Sequence, residues 1–281
     1  HAIEWLKLNH KVSIITGVPN FPKGKVFKGY KNKIFQSENL DGINIYRVWT
    51  FIAANKGFVF RILDYISFMF TSFFAGLFVK KHDIVIATSP QFFTAISGWL
   101  ISVFRRKPFI LEIRDLWPES MVALGVMRKD NYIIRILDAI AKYIYRKSEL
   151  IVVVTKTFKK YLVSLGIKED KIIIIENGFN FNRTLAPDKS IKDIRKKYNI
   201  RNKNFTVSYI GTLGMSHGVE IMINTAKLIS NVNFVIIGEG EQKIYLKKLA
   251  TDEKTNNVIF IDNIEWQEIV NINQIISANL I

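Results

Sequence analysis

One polar run in this sequence combines residue types that could do chemistry: Glu112-Ile113-Arg114-Asp115-Leu116-Trp117-Pro118-Glu119-Ser120. It follows the apolar residues Phe109–Leu111, which are typical of a buried strand. In open α/β sheets, ligands bind just outside the carboxyl ends of strands, where this run falls. We therefore take Arg114, Asp115 and Glu119 as candidate catalytic residues. The structural alternative is an Arg–Asp pair and an acid at the start of a helix that hold the loop still.

A second candidate site is rich in glycine. Gly211-Thr212-Leu213-Gly214 follows an apolar run and leads through Met215–Gly218 into a helical pattern over residues 219–229. Glycines let a backbone approach a ligand closely, and the N-terminus of a helix offers N–H groups to phosphate. The spacing matches neither the dinucleotide pattern G-x-G-x-x-G nor the P-loop. The pattern indicates an anionic ligand, with a tight strand-to-helix turn as the alternative.

Gly238-Glu239-Gly240 repeats this arrangement one strand later. If the two strands are parallel neighbours, both turns lie at one edge of the sheet and line one crevice. Asn177-Gly178, after the apolar run 172–175, is a common turn dipeptide.

Short apolar runs alternate with helical patterns, as in a parallel sheet covered on both faces. A run at 11–16 and two runs flanking Asp41-Gly42, a typical hairpin turn, precede the main series. The remaining predicted strands cover residues 83–88, 108–113, 150–154, 171–175, 207–210, 234–237 and 258–261. The predicted fold class is therefore α/β.

The strand–helix pattern restarts after a charged stretch at 188–197 and a polar, turn-like segment at 198–206. We place the boundary near residue 180, which gives domains 1–180 and 181–281. The sequence starts at His1 within a helical pattern and ends, at 277–281, as a buried strand would open. We expect a fragment whose second domain is incomplete at its C-terminus.

The composition favours anionic partners. The net charge is +16, and residues 1–83 hold twelve Lys or Arg against five Asp or Glu. Such a chain attracts polyanions or anionic lipid, although a solvated basic face is an equally good explanation. No motif that reads RNA or DNA is present, so we expect no nucleic-acid partner. Without cysteine, and with four histidines that lack metal-ligand spacing, no metal site is expected.

Residues 58–79 form the most apolar stretch. Its uncharged part, residues 65–79, is 15 residues long, whereas a helix that spans a bilayer needs about 20. Arg61 and Asp64 would lie inside any longer span, which is costly. A buried helix, or one at a membrane surface, fits better than a spanning helix.

Three segments together resemble family 4 of the retaining glycosyltransferases, whose architecture of two Rossmann-like domains is called GT-B. They are Thr16–Gly24 with Gly29-Tyr30, the run Glu112–Ser120, and Gly211–Gly214. The likeness extends over essentially the whole chain. The nearest branch is that of bacterial enzymes of capsule, O-antigen and colanic-acid synthesis, including the N-acetyl-L-fucosamine transferases.

The resemblance implies transfer of a sugar, with retention, from a nucleotide-sugar donor, expected to be UDP-linked, without a metal or other cofactor. The second domain would hold most of the donor, with the glycine turns at the diphosphate and the flanking turns at the nucleoside. The residues implied in donor binding are Gly211, Thr212, Leu213, Gly214, His217, Gly238, Glu239, Gly240, Asn263, Ile264 and Asn177.

Asp115 would face the donor sugar, and the acceptor would meet the first domain at Asn20, Phe21 and Lys23. Other members carry a His-Asp pair where this chain has Arg114-Asp115, so no histidine role carries over. The family's paired-glutamate motif and its first strand with a glycine-bearing loop are both expected beyond the ends of this sequence.

The acceptor implied by the branch is a polyprenyl-diphosphate-linked sugar or a polysaccharide. Because such a lipid stays in the bilayer, we expect a cytoplasmic protein that is peripheral at the inner face of the cell membrane. One alternative is a Rossmann sugar-nucleotide epimerase, for which Tyr143 and Lys147 have the required spacing in a charged helix. Another is a non-catalytic α/β protein that binds membrane surfaces or polyanions.

Overall fold

The computed structural model describes residues 1–20, 24–52, 58–79, 81–89, 91–178, 186–200 and 204–280. The contacts within it divide the chain into two compact units, His1–Gly178 and Phe179–Ile281.

The first unit begins with a small sheet in the order β1-β3-β2. Helix α1 (Ala2–Lys7) precedes β1 (Ser13–Thr16), β2 (Phe35–Leu40) and β3 (Ile43–Val48). β1 runs parallel to β3, while β2 and β3 form an antiparallel hairpin. Asp41 and Gly42, with φ of 51° and 86°, form its turn in the left-handed region, which confirms the predicted hairpin.

The larger sheet of the first unit is parallel, in the order β4-β5-β6-β7. Its strands are β4 (Val85–Ser89), β5 (Phe109–Ile113), β6 (Leu150–Val153) and β7 (Ile172–Ile174), which confirms the four predicted runs. The connecting helices are α3 (Phe92–Arg105), α4 (Glu119–Ala123), α5 (Tyr132–Lys147) and α6 (Lys156–Ser164). Leu111, Ile151 and Val153 are almost fully buried against α3, α5 and α6, because apolar strand residues need cover on the sheet faces.

Helix α2 (Phe58–Phe78) lies between the two sheets in the chain and packs on α3. The hydroxyls of Ser72 and Ser97 are 2.7 Å apart, and a Cβ at Gly76 would meet Ile101 Cδ1 at 2.4 Å, so the two helices approach closely. By length and composition Val59–Phe78 is apolar enough to cross a membrane, and only 17% of its most apolar window is buried. Core helices pass the same length and composition test.

The second unit has a parallel sheet in the order β10-β9-β8-β11. Its strands are β8 (Phe205–Ile210), β9 (Val232–Ile237), β10 (Val258–Ile261) and β11 (Ala278–Leu280), and its helices are α7 (Ile191–Lys197), α8 (Glu220–Leu228), α9 (Lys243–Asp252) and α10 (Trp266–Asn273). Alternate residues of β9 pack on opposite faces: Phe234 and Ile236 with α8 and α9, Val235 and Ile237 with α7 and α10.

Two details differ from the sequence analysis. The charged stretch at 188–197 contains α7, which starts where the Ser190 hydroxyl accepts a hydrogen bond from the Asp193 N–H at 3.2 Å. β11 is confirmed as a strand next to β8, but Leu280 is 47% exposed. The expectation of a buried strand there is wrong among the described residues.

Glu268 on α10 bonds side chains from both ends of α7, beside the amide bonds that Gln267, Asn271 and Gln274 make to residues 186–189. Glu268 Oε2 pairs with Lys189 Nζ at 2.5 Å, and its Oε1 accepts from Lys197 Nζ at 2.6 Å and Tyr198 Oη at 2.7 Å. Burial alone would raise the pKa of Glu268, but these three hydrogen bonds lower it to about 2.

Glu268→Gln should therefore destabilise the chain in a pH-dependent way. A carboxyl whose pKa falls on folding stabilises the fold above its unfolded value of 4.5, and this contribution is lost as the pH falls toward 2. Urea unfolding at pH 6 should show a loss of about 2 kcal/mol relative to the wild type, shrinking toward zero near pH 2. Glu265→Gln, at an exposed position beside the same helix, is the control. An equal loss at both pH values would contradict the ionic role.

Candidate functional site

Three turns of the second unit lie together at the carboxyl edge of its sheet. They follow β8, β9 and β10, which are parallel neighbours, and hold residues 211–214, 238–240 and 262–264. The sheet thus brings together the donor-binding residues predicted in this unit. Carboxyl edges of parallel strands are where α/β folds bind ligands.

The first two of these turns are joined backbone to backbone. Gly211 N donates to Ile237 O at 3.0 Å, and Leu213 N donates to Glu239 O at 2.9 Å. A Cβ at Gly238, where φ is +149°, would lie 1.8 Å from Gly211 O, and one at Gly240 would lie 2.2 Å from Leu213 O. Only glycine fits this approach, so these two glycines have a packing reason independent of any ligand.

Gly214 is different, because its backbone is extended and a Cβ there would meet only the His217 ring, with Nδ1 at 3.3 Å. His217 is exposed and lies edge-on to the Tyr209 ring, with the centroids 6.2 Å apart. Tyr209 Oη donates to Thr212 O at 2.8 Å, and Leu213 is fully buried. Gly214, Thr212 and His217 therefore border the surface at the entrance to α8.

The outer part of this edge carries a charged network. Lys243 Nζ contacts Glu239 Oε1 and Asp262 Oδ1, each at 2.6 Å, so it links the turns after β9 and β10. Asn263 is exposed, whereas Ile264 packs against the core on one face of the sheet.

In the first unit, Arg114 and Asp115 emerge at the carboxyl end of β5, as predicted. Their backbone N–H groups both donate to Ser89 O, at 3.0 and 3.1 Å, which fixes the turn to the end of β4. Arg114 Nη2 donates to Asn177 Oδ1 at 2.9 Å across 63 residues of sequence. Asn177, which the sequence analysis grouped with the donor-binding residues, thus lies in the first unit beside Arg114. The other predicted donor-binding residues belong to the second unit.

Asp115 lies at an exposed position, yet nearby protein atoms desolvate its carboxyl enough to raise its pKa above the ordinary value. Burial also raises the pKa of the Tyr65 hydroxyl on α2, and the carboxylates of Asp64 and Asp115 raise it further. Tyr65 packs edge-on against Trp117, with the ring centroids 6.4 Å apart. α2 therefore contributes side chains beside the β5 turn.

Glu119, at the start of α4, accepts a hydrogen bond from the Tyr161 hydroxyl on α6. Its other oxygen, Oε2, is buried without a hydrogen-bond partner among the described residues. This hydrogen bond joins α4 to α6. It gives Glu119 a structural role, which the sequence analysis had named as the alternative to a catalytic one. Within the described ranges, no group of three or more His, Asp or Glu side chains is arranged to hold a metal ion.

A cleft of about 490 Å³ lies at the carboxyl end of β1. Of the predicted acceptor-side residues, Asn20 lines it, and Phe21 and Lys23 lie outside the described residues. Thr50 and Asp64 also line it. The sequence analysis did not assign these two residues to a site, although Asp64 was conspicuous as a costly charge in an apolar stretch.

The Tyr143–Lys147 spacing does not create an epimerase-like site. Tyr143 packs edge-on against Trp99, with the ring centroids 5.3 Å apart, and Lys147 Nζ lies 5.7 Å from the Tyr143 ring centre. Lys147 ends α5 just before β6 starts, which puts it at the amino end of that strand, opposite the edge where ligands bind.

Comparison with known sequences identifies two family matches. Glycosyltransferase Family 4 matches residues 2–183, and Glycosyl transferases group 1 matches residues 190–280. The uncharacterized glycosyltransferase MJ1069 of Methanocaldococcus jannaschii is 23% identical over 261 residues, which cover 90% of this chain and 61% of that protein. The probable glycosyltransferase WbjE of Pseudomonas aeruginosa is 23% identical over 183 residues, or 62% of this chain and 44% of that protein. The chain thus spans less than two thirds of either relative.

Similar solved structures share the fold. Sucrose-phosphate synthase from Thermosynechococcus elongatus has a TM-score of 0.72 at 13% identity, covering 99% of this chain and 67% of that one. WaaG, a glycosyltransferase involved in lipopolysaccharide biosynthesis, has a TM-score of 0.59 at 11% identity, covering 99% and 68%. Anabaena Alr3699/HepE in complex with UDP has a TM-score of 0.58 at 16% identity, covering 78% and 57%.

These neighbours and the parallel sheets of the two units confirm the predicted fold class, two Rossmann-like α/β domains of the GT-B type. Because the first family match covers more than half of the sequence, the chain belongs to Glycosyltransferase Family 4.

Proposed function

We propose that this chain is part of a retaining glycosyltransferase that moves a hexosyl or N-acetylhexosaminyl group from a UDP-sugar to a lipid-linked or polysaccharide acceptor in cell-surface polysaccharide synthesis. The observation that carries this proposal is the set of three turns at one carboxyl edge of the second sheet, in a chain of this family. The solved complex of HepE with UDP and the role of WaaG in lipopolysaccharide biosynthesis support the donor and the setting.

The donor diphosphate is proposed to lie over Gly211–Gly214 and the start of α8. Exposed backbone N–H groups and the positive end of a helix stabilise phosphate, and they also stabilise the charge that develops on a leaving nucleoside diphosphate. Gly214 leaves room for this approach, because the diphosphate is proposed to lie in the space beside the His217 ring, where a Cβ at Gly214 would come within 3.3 Å of Nδ1. The turns at 238–240 and 262–264 are proposed to flank the nucleoside.

The sugar-transfer step is proposed to use Asp115. A carboxyl with a raised pKa at the end of a central strand suits contact with a sugar hydroxyl, as donor or acceptor of a hydrogen bond. Arg114, held by Asn177, would keep the turn in position. Attack on the same face from which the diphosphate departs accounts for retention without a carboxylate nucleophile.

The acceptor lipid is proposed to be reached by peripheral binding at the inner face of the cell membrane. Phe70, Phe74 and Phe78 recur every four residues on α2 and are 54%, 57% and 84% exposed, so they form one apolar stripe. Phe104 at the end of α3 is 64% exposed, and Arg106 beside it is also exposed. Binding to an anionic bilayer surface is stabilised by apolar side chains that insert and by cationic side chains that attract the lipid headgroups.

Gly214→Val should weaken UDP binding well over tenfold, because a branched side chain would occupy the proposed phosphate position. The fold should persist, since a Cβ here meets only an exposed histidine ring. Isothermal calorimetry with UDP, together with the unfolding temperature, tests both statements. Unchanged UDP affinity in a folded variant would refute the proposed donor site.

Asp115→Asn should lower turnover strongly while changing the unfolding free energy by about 0.5 kcal/mol or less, as is usual for surface substitutions. Sugar transfer by the complete protein and urea unfolding of the same preparations provide the two readouts. A variant that loses stability, yet transfers sugar normally in its folded fraction, would make Asp115 a structural loop residue.

Changing Lys23, Lys25 and Lys28 together to Glu should reduce pelleting with anionic liposomes and leave UDP binding unchanged. Each basic residue near an anionic surface contributes about 1 kcal/mol, so the loss should exceed tenfold. The same change at exposed Lys192, Lys196 and Lys248 of the second unit is the charge-matched control. Equal partition onto neutral and anionic liposomes, insensitive to salt, would contradict this anchor.

A further inference from the structure

The cleft at the end of β1 is built by segments far apart in the sequence. It is lined by Thr16–Asn20 after β1, Thr50 after β3, Asp64 and Phe68 on α2, and Phe27, Arg47 and Gln91. Its volume of about 490 Å³ lies within the roughly 300–1,000 Å³ range of small-molecule sites. All of these residues belong to the first unit.

The cleft contains a buried hydroxyl, on Thr50, whose neighbour Asp64 is not placed for a well-formed hydrogen bond. Thr50 is 3% exposed, and its Oγ1 has no well-formed hydrogen bond among the described residues. Burial raises the pKa of the neighbouring Asp64 carboxyl, which the Thr50 hydroxyl partly offsets. A buried hydroxyl without a partner costs about 1–3 kcal/mol, so a ligand that supplies one is favoured.

These groups are held in place by hydrogen bonds that do not involve their polar side-chain atoms. Asn32 clamps the backbone of Thr50, with Nδ2 donating to its O at 2.7 Å and Oδ1 accepting from its N at 3.2 Å. Ser67 Oγ accepts from Phe51 N at 2.8 Å and donates to Asp64 O at 2.7 Å. These bonds join the segment after β3 to α2 and hold Thr50 and Asp64 in fixed positions. Such preorganised side chains are expected of a binding site.

The charge of the cleft argues against phosphate. Arg47 is 8% exposed, and its guanidinium already pairs with Glu38 at 2.5 Å, donates to Gly17 O at 3.1 Å and lies over the Tyr30 ring. No other Lys or Arg is among the described lining residues. With the Arg47 charge compensated, the Asp64 carboxylate would repel an anion.

The lining suits a neutral, hydroxyl-rich ring. The Asp64 carboxylate accepts from hydroxyl groups, and the amides of Asn20 and Gln91 can both donate and accept. Phe27 and Phe68 add apolar faces to a lining in which polar and apolar residues are about equally represented, as a sugar ring with polar edges and apolar faces requires. Tyr65, the residue after Asp64, packs against Trp117 with the ring centroids 6.4 Å apart, so α2 contacts both the cleft and the segment that follows β5.

We infer that this cleft is a subsite for an uncharged sugar ring of the acceptor, recognised by Asp64 and Thr50, with the acceptor's phosphate groups bound elsewhere. The inference rests on the proposed transferase function and names the acceptor chemistry that this part of the site selects.

Saturation-transfer NMR with methyl α-D-glucopyranoside, methyl N-acetyl-α-D-glucosaminide and inorganic pyrophosphate tests the inference on the intact chain. Thr50→Val and Asp64→Ala should each weaken binding of at least one saccharide about tenfold, the loss expected for a hydrogen bond to a charged or buried group. Asp83→Ala, at an exposed carboxylate before β4, should have no effect.

Stability and UDP binding separate this inference from its alternatives. Thr50→Val should leave the unfolding temperature unchanged or raise it, because it removes an unsatisfied hydroxyl without creating a cavity; a large drop would mean a structural role. UDP affinity should stay unchanged in both variants, so loss of saccharide binding alone tests the cleft. Absence of saccharide binding to the wild type at millimolar concentration, or displacement of saccharide by pyrophosphate, would overturn the inference.

Discussion

The close contact between two backbone turns is the constraint on which the carboxyl edge of the second sheet depends. The turn after β9 lies so near the turn after β8 that a Cβ at Gly238 would overlap Gly211 O at 1.8 Å. Hydrogen bonds from Gly211 N and Leu213 N lock this arrangement. With the turns fixed, the entrance to α8 is fixed as well, and the first turn of a helix has backbone N–H groups without intrahelical partners. A surface made mostly of backbone can approach an anion closely and rigidly.

The two units offer different chemistry at their strand ends. In the second unit, glycine turns lead into the start of a helix, an arrangement that suits a diphosphate because helix N-termini offer backbone N–H groups to phosphate. In the first, Asp64, Thr50 and amide side chains line a cleft whose one lining cation is already paired among the described residues. These are complementary demands, since a glycosyl donor is strongly anionic and the sugar that receives the transferred group is neutral. The net charge of +16 therefore says little about either site.

The sequence predicted the framework better than the sites. Short apolar runs rich in β-branched residues, such as 150–154, favour strands, and Asp41-Gly42 favours a tight hairpin turn, because both signals are local. The Arg114–Asn177 bond and the proximity of Thr50 to Asp64 depend on segments that only tertiary packing brings together. α7 was missed because a Ser190 cap and one apolar contact from Ile194 are weak signals within a charged stretch.

The contact between α7 and α10 has several hydrogen-bond donors but one shared carboxylate acceptor, and this difference affects which substitutions it tolerates. Lys189, Lys197 and Tyr198 all converge on one carboxylate, Glu268. Loss of any one donor leaves two others in place, so each can change in a single step while the junction survives. Loss of the Glu268 carboxylate leaves all three donors without this acceptor at once, and the junction then depends on the amide bonds of Gln267, Asn271 and Gln274 to residues 186–189. Substitutions should therefore be tolerated more readily at each of the three donors than at Glu268.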